Sequence, residues 1–462
     1  MALGKRKHEE QSAWVATTDL PMSPGHPFYQ KLNRLLGEAK FDGYVEDLCR
    51  PYYAAKLGRP GIPPGVYFRM LFVGYFEGLD SQRAIAWRCH DSRSLQSFLG
   101  YSITDPTPDH SSLTIIRRRL PLTIHEQVFA KVLQIAQTKK LLKGKAVAVD
   151  STLIEAEAAM KSIVRRDGGD DWKAYVRKLA AEEGIENPTD EDLRKFDKKR
   201  KGKKVSNEDW YNPHDPDAKI AKMKDGRTHL AYKTEHAVDL KSDLVLAAPV
   251  YGADEADTQT LPQTLTMAQA NLLLAGSAVD IQDVPADKGY HSNETLTWCQ
   301  YFGIRTYIPE RASRWRRRWT DKSGEEKSAV YKNRRRVRGN RGKALGRLRS
   351  EYTERSFAHV CGTGGARRSR LRSLIDVGKR YLMYVAARNL GVIMRTLFNI
   401  GTPRGLQTKG AASLCGREVS YRAALGWLEI TSVRLRRLCR KSVPFPVYAI
   451  SRPALAWISR AA

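Results

Sequence analysis

Acidic residues are scarce in this chain of 462: 50 Asp+Glu stand against 79 Lys+Arg, a formal charge of +29. That excess is larger than solubility requires, makes a polyanion the leading class of partner, and argues against a small acidic metabolite as its reason. Cysteine is sparse as well. The six, at 49, 89, 299, 361, 415 and 439, form no CxxC pair and no Cys/His cluster at zinc spacing, which excludes a zinc site and reads as reduced thiols. Long hydrophobic runs are missing: no stretch reaches the roughly 18 apolar residues of a membrane span. Residues 1–20 hold Lys5, Arg6, Lys7, Glu9 and Glu10 without an apolar leader core. The expected setting is therefore the cytoplasm, with DNA or RNA rather than lipid as partner. What is present suffices for a large core, since 42% of residues are hydrophobic; at roughly 100 to 200 residues per domain the length suggests two to four units.

The first 140 residues read as helices. The turn cluster Gly58-Arg-Pro-Gly-Ile-Pro-Pro64 precedes a dense apolar run from Val66 to Phe76, a buried helix. Asp80-Ser81 then caps a second helix, a third covers Ser94 to Leu99, and Asp109 or Ser111 opens a longer one interrupted at Pro121. Short helices joined by tight turns suit a helix-turn-helix-like DNA-binding region over 1–140. From Gly144 the period changes to strand, and 141–400 reads as a catalytic α/β domain: Lys145 to Thr152, a hairpin of Thr228 to Val238 and Leu244 to Val250, a helix over Thr258 to Leu274, strands at Val279 to Pro285 and Ile304 to Ile308, and helices from about 350 to 398. A charged insertion occupies about 160–225, with 14 Lys/Arg and 10 Asp/Glu between 161 and 204. A basic arm spans about 311–349, where 16 Lys/Arg face three acids. Residues 401–462 form a basic tail.

Three carboxylates are singled out by position. Asp150 ends the first strand, Asp287 follows the strand before Lys288, and Glu354 opens the C-terminal helical region. Each alone reads more readily as a cap or turn acid than as a ligand. Together they suit phosphodiester chemistry, in which two Mg²⁺ ions about 4 Å apart clamp the attacking and leaving oxygens, and hard divalent cations take carboxylate ligands. Histidines are weaker candidates: His229 and His236, seven apart on a strand, point to opposite faces, and His291 and His359 read equally as surface or packing residues. Gly362-Thr-Gly-Gly365 lacks the Lys-Ser/Thr of a nucleotide loop. Trp315 and Trp319, interleaved with Arg314, Arg316, Arg317 and Arg318, offer stacking beside phosphate contacts.

From about His26 to about Arg395 the chain resembles the DDE transposases of bacterial insertion sequences. The resemblance rests on the 58–71 segment, Thr107-Pro-Asp-His-Ser-Ser-Leu113, Val149-Asp-Ser-Thr152, Asp215-Pro-Asp-Ala218, Met223-Lys-Asp-Gly-Arg-Thr-His229, Ala286-Asp-Lys-Gly-Tyr-His291 and Glu354-Arg-Ser-Phe357 followed by Arg367-Arg368. It implies a ribonuclease H-like mixed sheet flanked by helices, with Asp150, Asp287 and Glu354 as catalytic residues and ligands of two Mg²⁺ ions, for which Mn²⁺ substitutes. Glu351 rivals Glu354, with Arg347 four residues before it, but lacks the following Arg-x-Phe. The implied activity is hydrolysis at the terminal inverted repeats followed by transfer of the 3′-OH ends to target DNA, by a homodimer on paired double-stranded ends. Arg314, Arg316, Arg317, Arg318, Arg334, Arg335, Arg336, Arg355, Arg367, Arg368, Lys379 and Arg380 are the expected DNA contacts. The other readings of the residues are an inactive DNA-binding repressor or decayed copy, and a structure-selective nuclease.

Overall fold

The structure, a computed structural model, describes residues 25–54, 61–185, 187–199, 206–312 and 318–408. Seven helices come first: α1 (Pro27–Glu38), α2 (Phe41–Cys49), α3 (Pro64–Glu77), α4 (Gln82–Asp91), α5 (Arg93–Leu99), α6 (His110–Arg119) and α7 (Leu122–Thr138). The caps are those that the sequence predicts. The Ser81 hydroxyl accepts from Ala84 N–H at the start of α4, Asp109 accepts from Ser111 N–H at the start of α6, and Pro121 separates α6 from α7. Helix α3 is buried from Gly65 to Phe76. Gly74 permits this, because a methyl there would meet Ile85 Cδ1 at 2.7 Å.

Strand β1 (Val147–Glu155) opens the α/β region; β2 (Val164–Arg165), α8 (Trp172–Glu182), α9 (Asp190–Lys199), β3 (Trp210–Tyr211) and β4 (Lys219–Lys222) follow within the charged insertion. Then come β5 (Thr228–Asp239), β6 (Val245–Ala247), β7 (Val250–Gly252), α10 (Asp257–Leu274), β8 (Asp283–Pro285), α11 (Asn293–Tyr301) and β9 (Arg305–Tyr307). The long strand β5 is the spine. It pairs antiparallel with β1 along one edge and with β4, β7 and β6 along the other. Strand β8 pairs parallel with β9, and parallel bridges Ala146–Asp283 and Val149–Ala286 carry β8 alongside β1. The sheet is therefore mixed but mostly antiparallel.

The basic stretch, where it is described, is not an extended arm. It folds into α12 (Gly324–Arg338) and α13 (Asn340–Phe357), with a π-helical turn at Ala358–Thr363, before α14 (Leu374–Phe398) and the short α15 (Gly405–Thr408). Charge conceals the apolar spacing here: Leu345, Leu348 and Tyr352 of α13 pack on Ala148, Leu240 and Tyr307 of the sheet. Helix α14 is buried along nearly its whole length and packs against α3 and α7 as well as β7. The Asn389 side-chain amide bonds both N–H and C=O of Val245, fixing α14 to the sheet. The N-terminal helices and the sheet thus share the helix that joins them. Among the described residues no helix is long and apolar enough to cross a membrane.

Candidate active site

Because side chains alternate along a strand, β1 sends Asp150 to the α13 side and Ser151 to the α10 side. Asp150 lies opposite His236 of β5. Asp150 does not end its strand as the sequence suggests, because pairing with β5 carries β1 on to Glu155. Asp287 follows the end of β8, which the Val149–Ala286 bridge sets beside β1, so the two acids come from adjacent parallel strands. Helix α13 closes the site from above. Arg349 Nη1 donates to Asp150 Oδ2 at 2.8 Å, and its Nη2 lies 3.9 Å from Asp287 Oδ1. The Thr353 hydroxyl sits 3.1 Å from the same Asp150 oxygen, while Asp150 Oδ1 accepts from Ser151 N–H at 2.9 Å. Burial pushes the Asp150 carboxyl above the ordinary Asp range; Arg349, Ser151 N–H and Thr353 pull it down, and the Asp287 charge pushes it up again.

Glu354 is not gathered with the other two. Arg349 and Thr353 are four residues apart and share the face of α13 turned to β1; one residue on, Glu354 is rotated by about 100° and is exposed. Glu351 is exposed too and pairs with Arg355. Among the described residues no three Asp, Glu, His or Cys side chains lie close enough together to hold an ion. The pair Asp150 and Asp287 nevertheless fits a cation, since a guanidinium already lies between them.

The expected DNA contacts fall into groups. Arg314, Arg316 and Arg317, with Trp315, lie outside the described residues, and Trp319 stacks on Tyr331. Arg318, Arg335, Arg367 and Arg368 are exposed. Arg334 forms a bidentate pair with Glu310, Arg336 donates to Thr306 O and Oγ1, and Arg355 lies over the Tyr352 ring and contacts Glu351 and Asp243. Lys379 is turned inward, its amine on Arg117 O, and Arg380 donates to Leu79 O and Tyr384. These side chains brace the fold. Buried His236 bonds Ser356 and Tyr381, and His229 sits between Asp225 and Glu155, so the two histidines are apart as their spacing predicts.

Sequence reasoning missed Arg349 and Thr353 as site residues, although their four-residue spacing just before Glu354 is a helical-face signal. It also missed a cleft on the Ser151 side of β1, lined by Ser151, Lys222, Lys224, Asp257, Arg311 and Arg367 but by neither Asp150 nor Asp287. Arg311 is fixed there by a bond to Gly289 O.

A mixed sheet whose adjacent parallel strands bring two acids to one guanidinium, with a basic cleft on the Ser151 side of β1, defines an α/β domain with a carboxylate site. The family model described as a transposase DDE domain matches residues 142–390, and the one described as a transposase domain (DUF772) matches residues 19–119. The chain belongs to the DDE transposases of insertion sequences. No curated protein and no solved structure gives a match.

Proposed function

We propose that this transposase binds the terminal inverted repeats of its element as double-stranded DNA, cuts a strand at each end and joins the ends to target DNA, with Asp150, Asp287 and Glu354 holding two Mg²⁺ ions, or Mn²⁺ in their place. The observation that carries the reading is one guanidinium meeting both Asp150, within β1, and Asp287, just past the neighbouring parallel strand β8. A ribonuclease H-like domain is the matching fold, supported by the strand order β6/β7, β5, β1, β8, β9, in which the first strands are antiparallel and the last two run parallel to β1. Bound ions would supply Lewis-acid charge at the scissile phosphate. Glu354, one residue past Thr353 on α13, joins the pair through a shift of that helix or its side chain.

In the first step a water oxygen bonds to phosphorus, the P–O3′ bond breaks and the element keeps a 3′-OH. In the second, that hydroxyl forms a new P–O3′ bond in the target and releases a target 3′-OH. The cleft cations Lys222, Lys224, Arg311 and Arg367 hold strand phosphates, which positions DNA without reading its sequence. A homodimer on paired ends, working in the bacterial cytoplasm at the nucleoid, completes the reading. The test is Asp287→Ala: loss of several kcal/mol of transition-state stabilisation lowers Mg²⁺-dependent cleavage of end-bearing DNA by on the order of 10³-fold or more, with DNA binding retained. Undiminished cleavage rejects the assignment. Wild-type binding with no nicking in Mg²⁺ or Mn²⁺ points to a repressor, and cutting without joining to a structure-selective nuclease.

A further inference from the structure

Arg349 lies where the proposed reaction needs a metal. Its guanidinium donates to Asp150 Oδ2 at 2.8 Å, approaches Asp287 Oδ1 at 3.9 Å and also donates to Ser350 Oγ at 3.2 Å. The side chain is 18% exposed, on a helix whose own docking depends on Leu345, Leu348 and Tyr352 rather than on this arginine. Asp150 Oδ1 accepts from Ser151 N–H, while Oδ2 accepts from Thr353 and from Arg349, a cation that Asp150 shares with Asp287. A divalent ion at Oδ2 would sit against the guanidinium, and like charges so close in a half-buried site repel strongly. The two occupants exclude one another.

We infer that Arg349 is a resident cation that holds the acid pair closed to metal in the DNA-free protein and withdraws onto a DNA phosphate when the substrate docks. This inference rests on the reading of Asp150 and Asp287 as metal ligands. Arginine suits the exchange because its planar fork matches phosphate as well as carboxylate, and its long stem can carry the fork from one to the other. The exchange couples the two ligands. DNA that captures Arg349 vacates the acids for metal, metal that displaces Arg349 frees it for DNA, and linkage requires the effect to be equal in both directions. A transposase so built holds its metals tightly only when DNA is present.

The experiment is Mn²⁺ titration by calorimetry of the full chain, with and without duplex DNA. Without DNA, Arg349→Gln is expected to bind Mn²⁺ roughly tenfold more tightly than wild type, and Arg349→Lys, which keeps the charge, to stay near wild type. Duplex DNA should tighten Mn²⁺ binding to wild type by a similar factor and leave Arg349→Gln unchanged. Equal or weaker Mn²⁺ binding by a folded Arg349→Gln protein would overturn the inference; so, independently of any variant, would a wild-type affinity that DNA does not alter. The Asp150→Ala, Asp287→Ala double variant separates the two levels. If it binds Mn²⁺ as wild type does, the metal-ligand reading itself fails; if it loses Mn²⁺ while Arg349→Gln has no effect, only the exchange fails.

Discussion

Strands β1 and β5 carry acids to both faces of one sheet, and the two faces treat them differently. On the α10 face Glu235 is fully buried, accepts the hydroxyls of Thr260 and Thr264, and lies 3.5 Å from Lys233 Nζ. Lys233 in turn donates to Glu255 O, Asp257 and Thr260. On the α13 face Asp150 shares Arg349 with Asp287, whose side chain is 50% exposed. Burial raises the carboxyl pKa on both faces. A raised pKa therefore does not by itself mark chemistry. A second acid at a neighbouring strand end distinguishes the α13 face and, on the inference above, so does a cation able to leave.

The sharpest test of the contrast is stability. Glu235→Ala leaves Lys233 buried with only Asp257 as a charged partner, and removing one member of a buried pair costs about 3 kcal/mol, the low end of the usual range because Asp257 remains. Asp150→Asn keeps an oxygen for Arg349 and relieves the burial of a charge, so in metal-free protein its cost is expected within about 1 kcal/mol of zero. Urea unfolding measures both. Equal losses would erase the distinction between a structural and a functional acid.

A smaller effect divides the faces by pH. His236, next to Glu235 but on the α13 face, is sandwiched between Phe357 and its two hydroxyl partners, and burial, aided by Arg388, holds its pKa well below 6.5. Ser356 Oγ donates to Thr353 O, so it accepts from His236 Nδ1–H and leaves Nε2 to accept from Tyr381. The unfolded chain takes up this proton near pH 6.5 and the folded one does not. Stability is therefore full above that pH and falls as pH drops, by up to about 1.4 kcal/mol per unit. Glu235 has the opposite sign: its raised pKa means that the contribution present in acid is lost as pH rises from about 4.5. His236→Asn should flatten the acid-side loss in thermal melts between pH 7 and 5, whereas Glu235→Gln should keep it.

Much of this arrangement was legible in the sequence. The strand runs that carry Asp150 and lead to Asp287, the β5 hairpin and the Ser81 and Asp109 caps are local patterns, and local patterns specify them. That β1 continues past Asp150 to Glu155 was not legible, since the length of β5 decides it. The phase of α13 was not: helix docking is decided by Leu345, Leu348 and Tyr352 within a stretch dominated by arginines, so the region read as an arm and Arg349 as one more basic residue. Helical period alone did not reveal that Glu354 stands off the β1-facing side of the helix, because nothing local says which face meets β1. The partner of α14 was hidden for the same reason, since an apolar helix face does not name the helices it will cover.

The smallest expected effect joins the two faces. Gly289, two residues past Asp287, sits so close to the α10 network that a methyl there would approach Asp257 Oδ2 at 2.6 Å. Asp257 Oδ1 is anchored by Ser151 Oγ at 3.2 Å and Lys233 Nζ at 3.3 Å, so the carboxylate yields by turning about that anchor rather than by leaving. Gly289→Ala should thus cost only about 1 kcal/mol of stability, as mild overpacking does. The displacement falls on the loop that carries Asp287 and on Ser151 beside Asp150, and small misplacement of reacting groups is costly to rate. Cleavage is expected to drop roughly tenfold while the urea midpoint moves little. A variant that loses stability and activity in the same proportion would show the α10 network to be part of the site itself, and one that loses neither would show the two faces to be independent.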